Sequence, residues 1–395
     1  MKIAFLLGSG ISLKAGLLNV NDITKKILTG EGVSHHSTGY YFMPPPYSHI
    51  GIPCYNVKRI LTFINFTKDK LDTYYEKYDQ LHLTNYEDIY FILRQLHDEI
   101  YGEHENLIVS DFLNDLQIDN ETMLKVKDKM FYKDFEIEEL INESMIYINN
   151  VVSRLLYNPS KDFNYLNMFC EISRDKKIER IDIFSLNHDR LLELYFDMHK
   201  IKYCDGFDER EGDIKPFNIE LYDNENRMNL YKLHGSIDWL KYRIAGMDWR
   251  GDFIGKPVIS DVQHTKDRNG NYLTPNENTT EILIGTFNKI IDYNSGIFFD
   301  LLSHFVTTLN NHNYLIISGY GFGDKGINTK IIEWYYKNPE RKIIVIHKKP
   351  DDLKSSSRGA IYGKWDKWIK EGSLIIIEEW FEISWNKIQS ILYSD

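Results

Sequence analysis

Short, β-branched apolar runs set off by turn residues constrain this chain more than any other feature. They fall at residues 2–7, 181–186, 230–233, 281–284, 314–318, 342–346 and 373–377. Near-continuous apolar runs of this length fit strands covered on both faces. Helix-period segments sit between several of them, at 190–199, 295–311, 326–336 and 362–370. Strands alternating with helices predict an α/β fold built on a doubly wound parallel sheet.

The style changes between residues 30 and 180. Helical patterns at 85–101 and 136–156 dominate there, and Thr84-Asn85-Tyr86-Glu87 reads as a capping box. The expected organisation is an α/β domain made of residues 1–30 and 180–395, interrupted by a helical insert over 31–179. Met43-Pro44-Pro45-Pro46 marks an irregular loop, and the polar stretch 249–278 reads as a second long loop.

The chain has 395 residues, 43% of them hydrophobic, enough for a sizeable core. Lys plus Arg is 47 and Asp plus Glu is 58, a formal charge of −11. Such a chain lacks the broad cationic field of non-specific nucleic-acid binding, so no direct nucleic-acid contact is expected. The three cysteines, Cys54, Cys170 and Cys204, form no CxxC pair. That predicts a reducing, cytoplasmic setting and removes a cysteine-based zinc ribbon. No apolar run approaches the roughly 20 residues of a membrane span. The opening residues look superficially like a signal peptide, but Lys14 and the glycines interrupt them, and a buried first strand is the better reading.

Ligands of open α/β sheets bind at the carboxyl ends of the strands, so the residues after each strand matter most. After the first come Gly8-Ser9-Gly10-Ile11-Ser12. Glycines there allow a tight turn and close approach of backbone N–H groups to phosphate, though Leu13 stands where a third glycine of GxGxxG would be. Alone, this turn fits a phosphate loop and a plain βα turn equally. Asn187-His188-Asp189 follows the second run, where an amide and a carboxylate either cap the next helix or face a ligand. His234-Gly235-Ser236 follows the third; a histidine there suits general-base work, and taken singly it is more simply a turn residue. Gly319-Tyr320-Gly321-Phe322-Gly323-Asp324, then Ile327-Asn328, follows residues 314–318. Asp324 can accept from ribose hydroxyls or cap a helix. Four such stations together point to a nucleotide in a Rossmann-like crevice, with a histidine and an asparagine beside its ribose.

Together the four stations resemble the sirtuin superfamily. Residues 8–16, GSGISLKAG, look like its GAGxSxxAG opening. Asn187 and Asp189 match the Asn-x-Asp of its TQNxD motif. Leu233-His234-Gly235-Ser236 matches its LHGS, and residues 319–328 look like the GYSFxDxxIN segment of bacterial sirtuin-like effectors. The two CxxC pairs of sirtuin deacylases are missing after His234, and Leu17-Leu18-Asn19-Val20 replaces their Asp-Phe-Arg. The pattern is more similar to the zinc-less sirtuin-like NAD hydrolases of bacterial antiviral defence.

The resemblance implies NAD as substrate, with no metal. It implies His234, Asn187 and Asp189 as catalytic residues: His234 takes a proton, Asn187 orients ribose or water, and Asp189 meets the nicotinamide carboxamide. It implies Gly8, Ser9, Gly10, Ser12, Ser236, Gly319, Gly321, Asp324 and Asn328 as the nucleotide-binding set. It further implies a gated NAD-depleting effector that forms homo-oligomers, with a HerA-type ATPase as the partner on offer. The 27 Tyr, 21 Phe and 7 Trp suit interfaces, although cores absorb such residues too. The sheet pattern ends at 377, leaving length for one helix and no separate nucleotide-sensing domain. Rival readings are an NAD-dependent protein deacylase and a non-catalytic nucleotide-binding assembly subunit.

Overall fold

The computed structural model describes all residues except 37–38, 44–54, 80–81, 104–136, 160–161, 245–247, 249–250, 261, 276–278, 286–287 and 394–395. The strands, in chain order, are β1 (Lys2–Leu7), β2 (Ser34–His35), β3 (Tyr41–Phe42), β4 (Arg180–Ser185), β5 (Ile214–Pro216), β6 (Met228–Lys232), β7 (Leu240–Ile244), β8 (Asp252–Pro257), β9 (Leu273–Pro275), β10 (Tyr314–Ser318), β11 (Lys342–Ile346) and β12 (Leu374–Ile377).

Six of them form one parallel sheet in the order β12-β11-β10-β1-β4-β6. From β1 the chain steps outward through β4 to β6, then returns to β10 on the other side of β1 and steps outward again. The order reverses between β1 and β10, and such a reversal opens a crevice at the strands' carboxyl ends. The α/β, Rossmann-like fold read from the alternating runs is therefore the fold observed.

The period-2 geometry of strands explains why the runs had to be apolar throughout. Ala4, Leu6, Leu315, Ile317, Ile343 and Val345 face one core, under helices Gly296–Leu309, Lys325–Tyr336 and Gly359–Lys370. Ile3, Phe5, Leu7, Ile316, Ile344 and Ile346 face the other, under helices Met168–Arg174, Leu191–Met198 and Trp385–Leu392.

A third core joins helices Tyr55–Tyr78, Tyr86–Ile100 and Ile137–Leu155, within the span expected as an insert. Helix Val20–Thr29, which precedes that span, packs into the same core through Ile23 and Ile27, whereas Phe163 to Ile172 pack under the main sheet. Asn85 caps the second of these helices in a true capping box, but its reciprocal partner is Asp88 rather than Glu87.

Two expectations are corrected. Residues 281–284 form no strand of the main sheet. Their backbone bonds go to the turn after β6: Leu283 N–H donates to the His234 carbonyl (2.9 Å) and Ser236 N–H to that of Glu281 (3.0 Å). An apolar, β-branched run signals burial, and burial against a turn satisfies it as well as a ladder does. The stretch 249–278 is not one loop, since β8 and β9 lie in it. With β5 and β7 they form an antiparallel sheet, β5-β8-β7-β9, over a small core of Ile214, Leu240, Tyr242 and Leu273. Its strands are short and carry charges such as Lys256, whose ammonium pairs with Asp205 (2.6 Å), so no apolar run betrayed them. Residues 44–46 of the expected proline loop lie outside the described residues.

Candidate active site

The glycine turns after β1 and β10 lock onto each other. Gly8 N–H donates to Ser318 O (3.0 Å) and Gly10 N–H to Gly319 O (2.9 Å). Gly319 has φ +67°, and a Cβ there would lie 2.5 Å from the Ile11 nitrogen. A Cβ on Gly8 would meet Gly319 O at 2.5 Å. These glycines are thus required first by each other's approach.

Beneath the first turn, Ser12, Asn187 and Asp189 form a buried cluster. Asn187 Nδ2 donates to Gly8 O and to Ser12 Oγ, both at 3.1 Å. Ser12 Oγ donates to Asp189 Oδ2 (2.7 Å), and Asp189 Oδ1 accepts from Leu191 N–H (3.0 Å) at the start of the next helix. Asp189 thus bonds the first residue of the helix from the position before its N-cap, Arg190, while its other oxygen holds Ser12. Asn187 Oδ1 and His188 Nδ1 are buried with no hydrogen-bond partner. An unpartnered buried carbonyl oxygen is unfavourable unless a ligand or water completes it.

His234, at the turn after β6, is 4% exposed. Its Nε2 lies 2.7 Å from the Tyr293 hydroxyl and 3.1 Å from Asp324 Oδ2; the hydroxyl donates to the same Oδ2 (2.9 Å). Asp324 Oδ1 caps helix Lys325–Tyr336 through Ile327 N–H (2.9 Å), so both of its oxygens are engaged. Burial opposes the Asp324 charge, but the His234 bond, the Lys289 charge and the cap outweigh it and hold the carboxyl far below its ordinary value. Burial pushes the His234 imidazole down, against the pull of Asp324. The directions agree on a neutral imidazole beside a carboxylate. His188 lies next to it, ring centroids 6.1 Å apart, and burial drives its pKa well below the ordinary histidine value.

The binding set divides. Ser9, Gly10, Gly319 and Gly321 line a cavity of about 980 Å³ at the carboxyl ends of β1, β10 and β11, beside Lys14 and Trp380. Asn187, Asp189 and His234 are not among its walls; they lie buried on the far side of the glycine turns. Ser236 is fully buried, its hydroxyl donating to His188 O (3.3 Å). Asn328 accepts from the Tyr320 hydroxyl and donates to Phe322 O, both at 2.8 Å, and so shapes the second glycine turn. Among the described residues, no group of three or more His, Cys, Asp and Glu could hold a metal, and no helix is long and apolar enough to cross a membrane.

Sequence reasoning missed Tyr293 and Lys232. Tyr293 stands in a polar turn with no motif around it. Lys232 ends a buried strand, donates to Asp189 O and pairs with Glu193 (3.5 Å). A lysine closing an apolar strand beside His234 was a usable signal, because a buried ammonium must find partners.

Fold and site together define an α/β protein with an open crevice on one side of its glycine turns and, on the other, buried polar groups around Asn187–Asp189 and around His234. Residues 182–367 are similar to the SIR2-like domain family. The match takes in Asn187, Asp189, His234, Asp324 and Asn328. Solved structures that superpose include a sirtuin from work on substrate affinity (10% identity, 99% of this chain and 93% of that one, TM-score 0.36). Another is a Sir2–p53 peptide–NAD+ complex (9% identity, 100% and 94%, TM-score 0.34). These overlays are too loose to carry residues from one chain to another. No curated protein matches the sequence.

Proposed function

We propose that this protein is an NAD hydrolase that cleaves the nicotinamide–ribose bond, giving ADP-ribose and nicotinamide. The observation that carries the reading is that Asn187 and Asp189, which follow β4, are bonded to the first glycine turn, with His234 buried after the neighbouring strand β6, next to the reversal of strand order. The chain's groups fit a dinucleotide. The cavity beside Gly10 and Gly319 has the volume of a cofactor site, and Asn187 Oδ1 lacks the partner that a ribose hydroxyl or a water would supply.

In this reading Ser9, Gly10, Gly319 and Gly321 hold the phosphate-bearing half. Asn187 Oδ1 orients ribose or the attacking water. Each Asp189 oxygen takes one hydrogen bond here and retains a lone pair for the carboxamide N–H. His234, neutral at physiological pH, takes the proton. Cleavage develops positive charge on the ribose while the departing ring loses its own, and fixed carboxylates in a poorly solvated site favour that transition state.

The biological role we propose is a gated, NAD-depleting effector of antiviral defence. Support for gating is that His234, Asn187 and Tyr293 are all buried. Homo-oligomerisation and a HerA-type ATPase partner rest on the sirtuin-like motifs. The test is purified protein with NAD, alone and with the product of its genomic neighbour, read by mass spectrometry. ADP-ribose with nicotinamide, lost in His234→Ala, is the expected result. O-acetyl-ADP-ribose formed from an acetylated peptide would assign a deacylase instead.

A further inference from the structure

Around His234 the polar atoms close into a triangle: Nε2 to the Tyr293 hydroxyl, 2.7 Å; the hydroxyl to Asp324 Oδ2, 2.9 Å; Oδ2 to Nε2, 3.1 Å. All three side chains are buried and come from separate elements: the turn after β6, the turn after helix Asn288–Asp292, and the cap of helix Lys325–Tyr336. Their hydrogens can be placed by elimination. The ionised carboxylate carries no proton, so Oδ2 only accepts. The phenol has one proton, and giving it to Nε2 would leave Oδ2 facing two lone pairs in a buried site, which is strongly unfavourable. Giving it to Oδ2 leaves the phenol oxygen free to accept. Nε2 must then be the N–H donor to the phenol, the carboxylate or both. In a neutral imidazole the lone pair is left on Nδ1.

We propose that Asp324 and Tyr293 are positioning residues that hold His234 as its Nε2–H tautomer, so that Nδ1 is the nitrogen that accepts the substrate-side proton. This rests on the reading of the site as NAD-cleaving. The step balances: a proton leaves a ribose hydroxyl or water, its electron pair stays on that oxygen, and Nδ1 gains the proton. The resulting imidazolium keeps its Nε2–H on a carboxylate already in place, a division of labour known from hydrolase triads, where the carboxylate orients the histidine and balances its charge. The helix cap explains only one Asp324 oxygen, since Oδ1 alone satisfies it. Nothing in the capping role places Tyr293.

The charged and titratable groups facing His234 are Asp324, Tyr293, Lys289, Glu87 and His188. Asp324 raises the imidazole's pKa while Lys289 lowers it. Asp324→Asn keeps the cap oxygen and removes the charge. It should lower the NAD cleavage rate by about a hundredfold or more at little change in KM. The acid limb of the pH–rate profile should move to lower pH, because the group raising His234 is gone. Tyr293→Phe should lower the rate about tenfold. A loss of rate in Asp324→Asn with the acid limb unmoved would show a merely structural carboxylate and overturn the proposal.

The tautomer itself is read without any activity, from side-chain nitrogen shifts in protein labelled with ¹⁵N-histidine, the signal assigned by its absence in His234→Gln. A protonated Nε2 with bare Nδ1 at neutral pH is expected. The opposite tautomer, or an imidazolium, overturns the proposal whatever the enzyme does. If the expected tautomer is present but NAD stays intact in every setting, the hydrolase reading fails and the positioning of His234 stands.

Discussion

The two sides of the glycine turns are built by different means. Toward β11 and β12 the crevice is open, about 980 Å³, and its recognition groups are backbone and exposed side chains. Lys14, for example, is about half exposed and pairs with Glu382. Toward β4 and β6 the space is filled. Asn187, Asp189, His234 and Asp324 are each under 9% exposed and fall into two hydrogen-bonded groups, Asn187 and Asp189 through Ser12, and His234 with Asp324. The open side can bind a nucleotide with little rearrangement. The closed side can tune protonation, because burial disfavours the charged imidazole of His234 while hydrogen bonds and nearby charge hold Asp324 ionised. Substitutions on the closed side should therefore act on kcat, and those on the open side on KM.

The largest effect should come from the closed side. His234→Ala and Asn187→Ala should each reduce NAD cleavage by about 10²–10⁴-fold, with thermal unfolding close to wild type. Wild-type turnover in either variant would break the comparison.

The seam between the two sides comes next. Gly319 holds φ +67° with no room for a Cβ against Ile11 N and Gly8 O. Left-handed backbone alone costs a non-glycine residue about 1–2 kcal/mol, and the contact adds to it. Gly319→Ala should lower stability by roughly 2 kcal/mol or more, seen as a reduced denaturant midpoint. Gly321 is the control: an added Cβ there meets nothing within 4 Å, so Gly321→Ala should leave the midpoint close to wild type.

Protonation gives a smaller, graded effect. His188 and His234 are held neutral, below the ordinary histidine value. Their unfolded forms take up protons near pH 6.5 and the folded forms do not. Stability is thus full above about pH 6.5 and is lost as pH falls through it, by up to about 1.4 kcal/mol per pH unit for each histidine. Asp324, whose pKa is depressed, loses its contribution only at far lower pH. Glu193, raised by burial, acts in the opposite sense, so the histidine part is isolated by comparing variants. Denaturant midpoints at pH 7.5, 6.5 and 5.5 should fall less steeply in His234→Gln than in wild type; equal slopes would mean that His234 titrates normally.

Much of this was legible in the sequence, for a physical reason. A sheet covered on both faces needs apolar residues at consecutive positions, so β1, β4, β10 and β11 announced themselves, and the polar residues just past them had to face the crevice or cap a helix. Asn187 and Asp189 do belong to one cluster, although only coordinates reveal that Ser12 ties them together. The antiparallel sheet was hidden because β5, β8 and β9 are short, half-exposed and interrupted by Gly255, Pro216 and Pro257. Tyr293 was hidden because its meaning is a distance to His234, 59 residues away in sequence, and no local pattern encodes that. Asp324 was read as a ribose acceptor or a cap. The cap is present, and the second oxygen has gone to His234.

The smallest predicted effect sharpens the open side. Lys14 Nζ lies 5.8 Å from the Trp380 ring centre and 5.9 Å from that of Tyr165, at the cavity mouth next to Gly10. Its ion pair with Glu382 is exposed, and exposed pairs contribute only about 0–1 kcal/mol. Lys14→Ala should therefore leave the unfolding temperature nearly unchanged. A phosphate-bearing ligand in the cavity would draw the ammonium from Glu382, because a ligand anion adds a charge while the carboxylate stays partly hydrated. Loss of that contact should raise KM for NAD by about two- to tenfold with kcat unchanged, the signature of binding shared equally by ground and transition states. The rise should shrink at high salt, since exposed charges are screened over about 10 Å at 0.1 M ionic strength. A fall in kcat at constant KM would place Lys14 with the buried cluster and erase the division between the two sides.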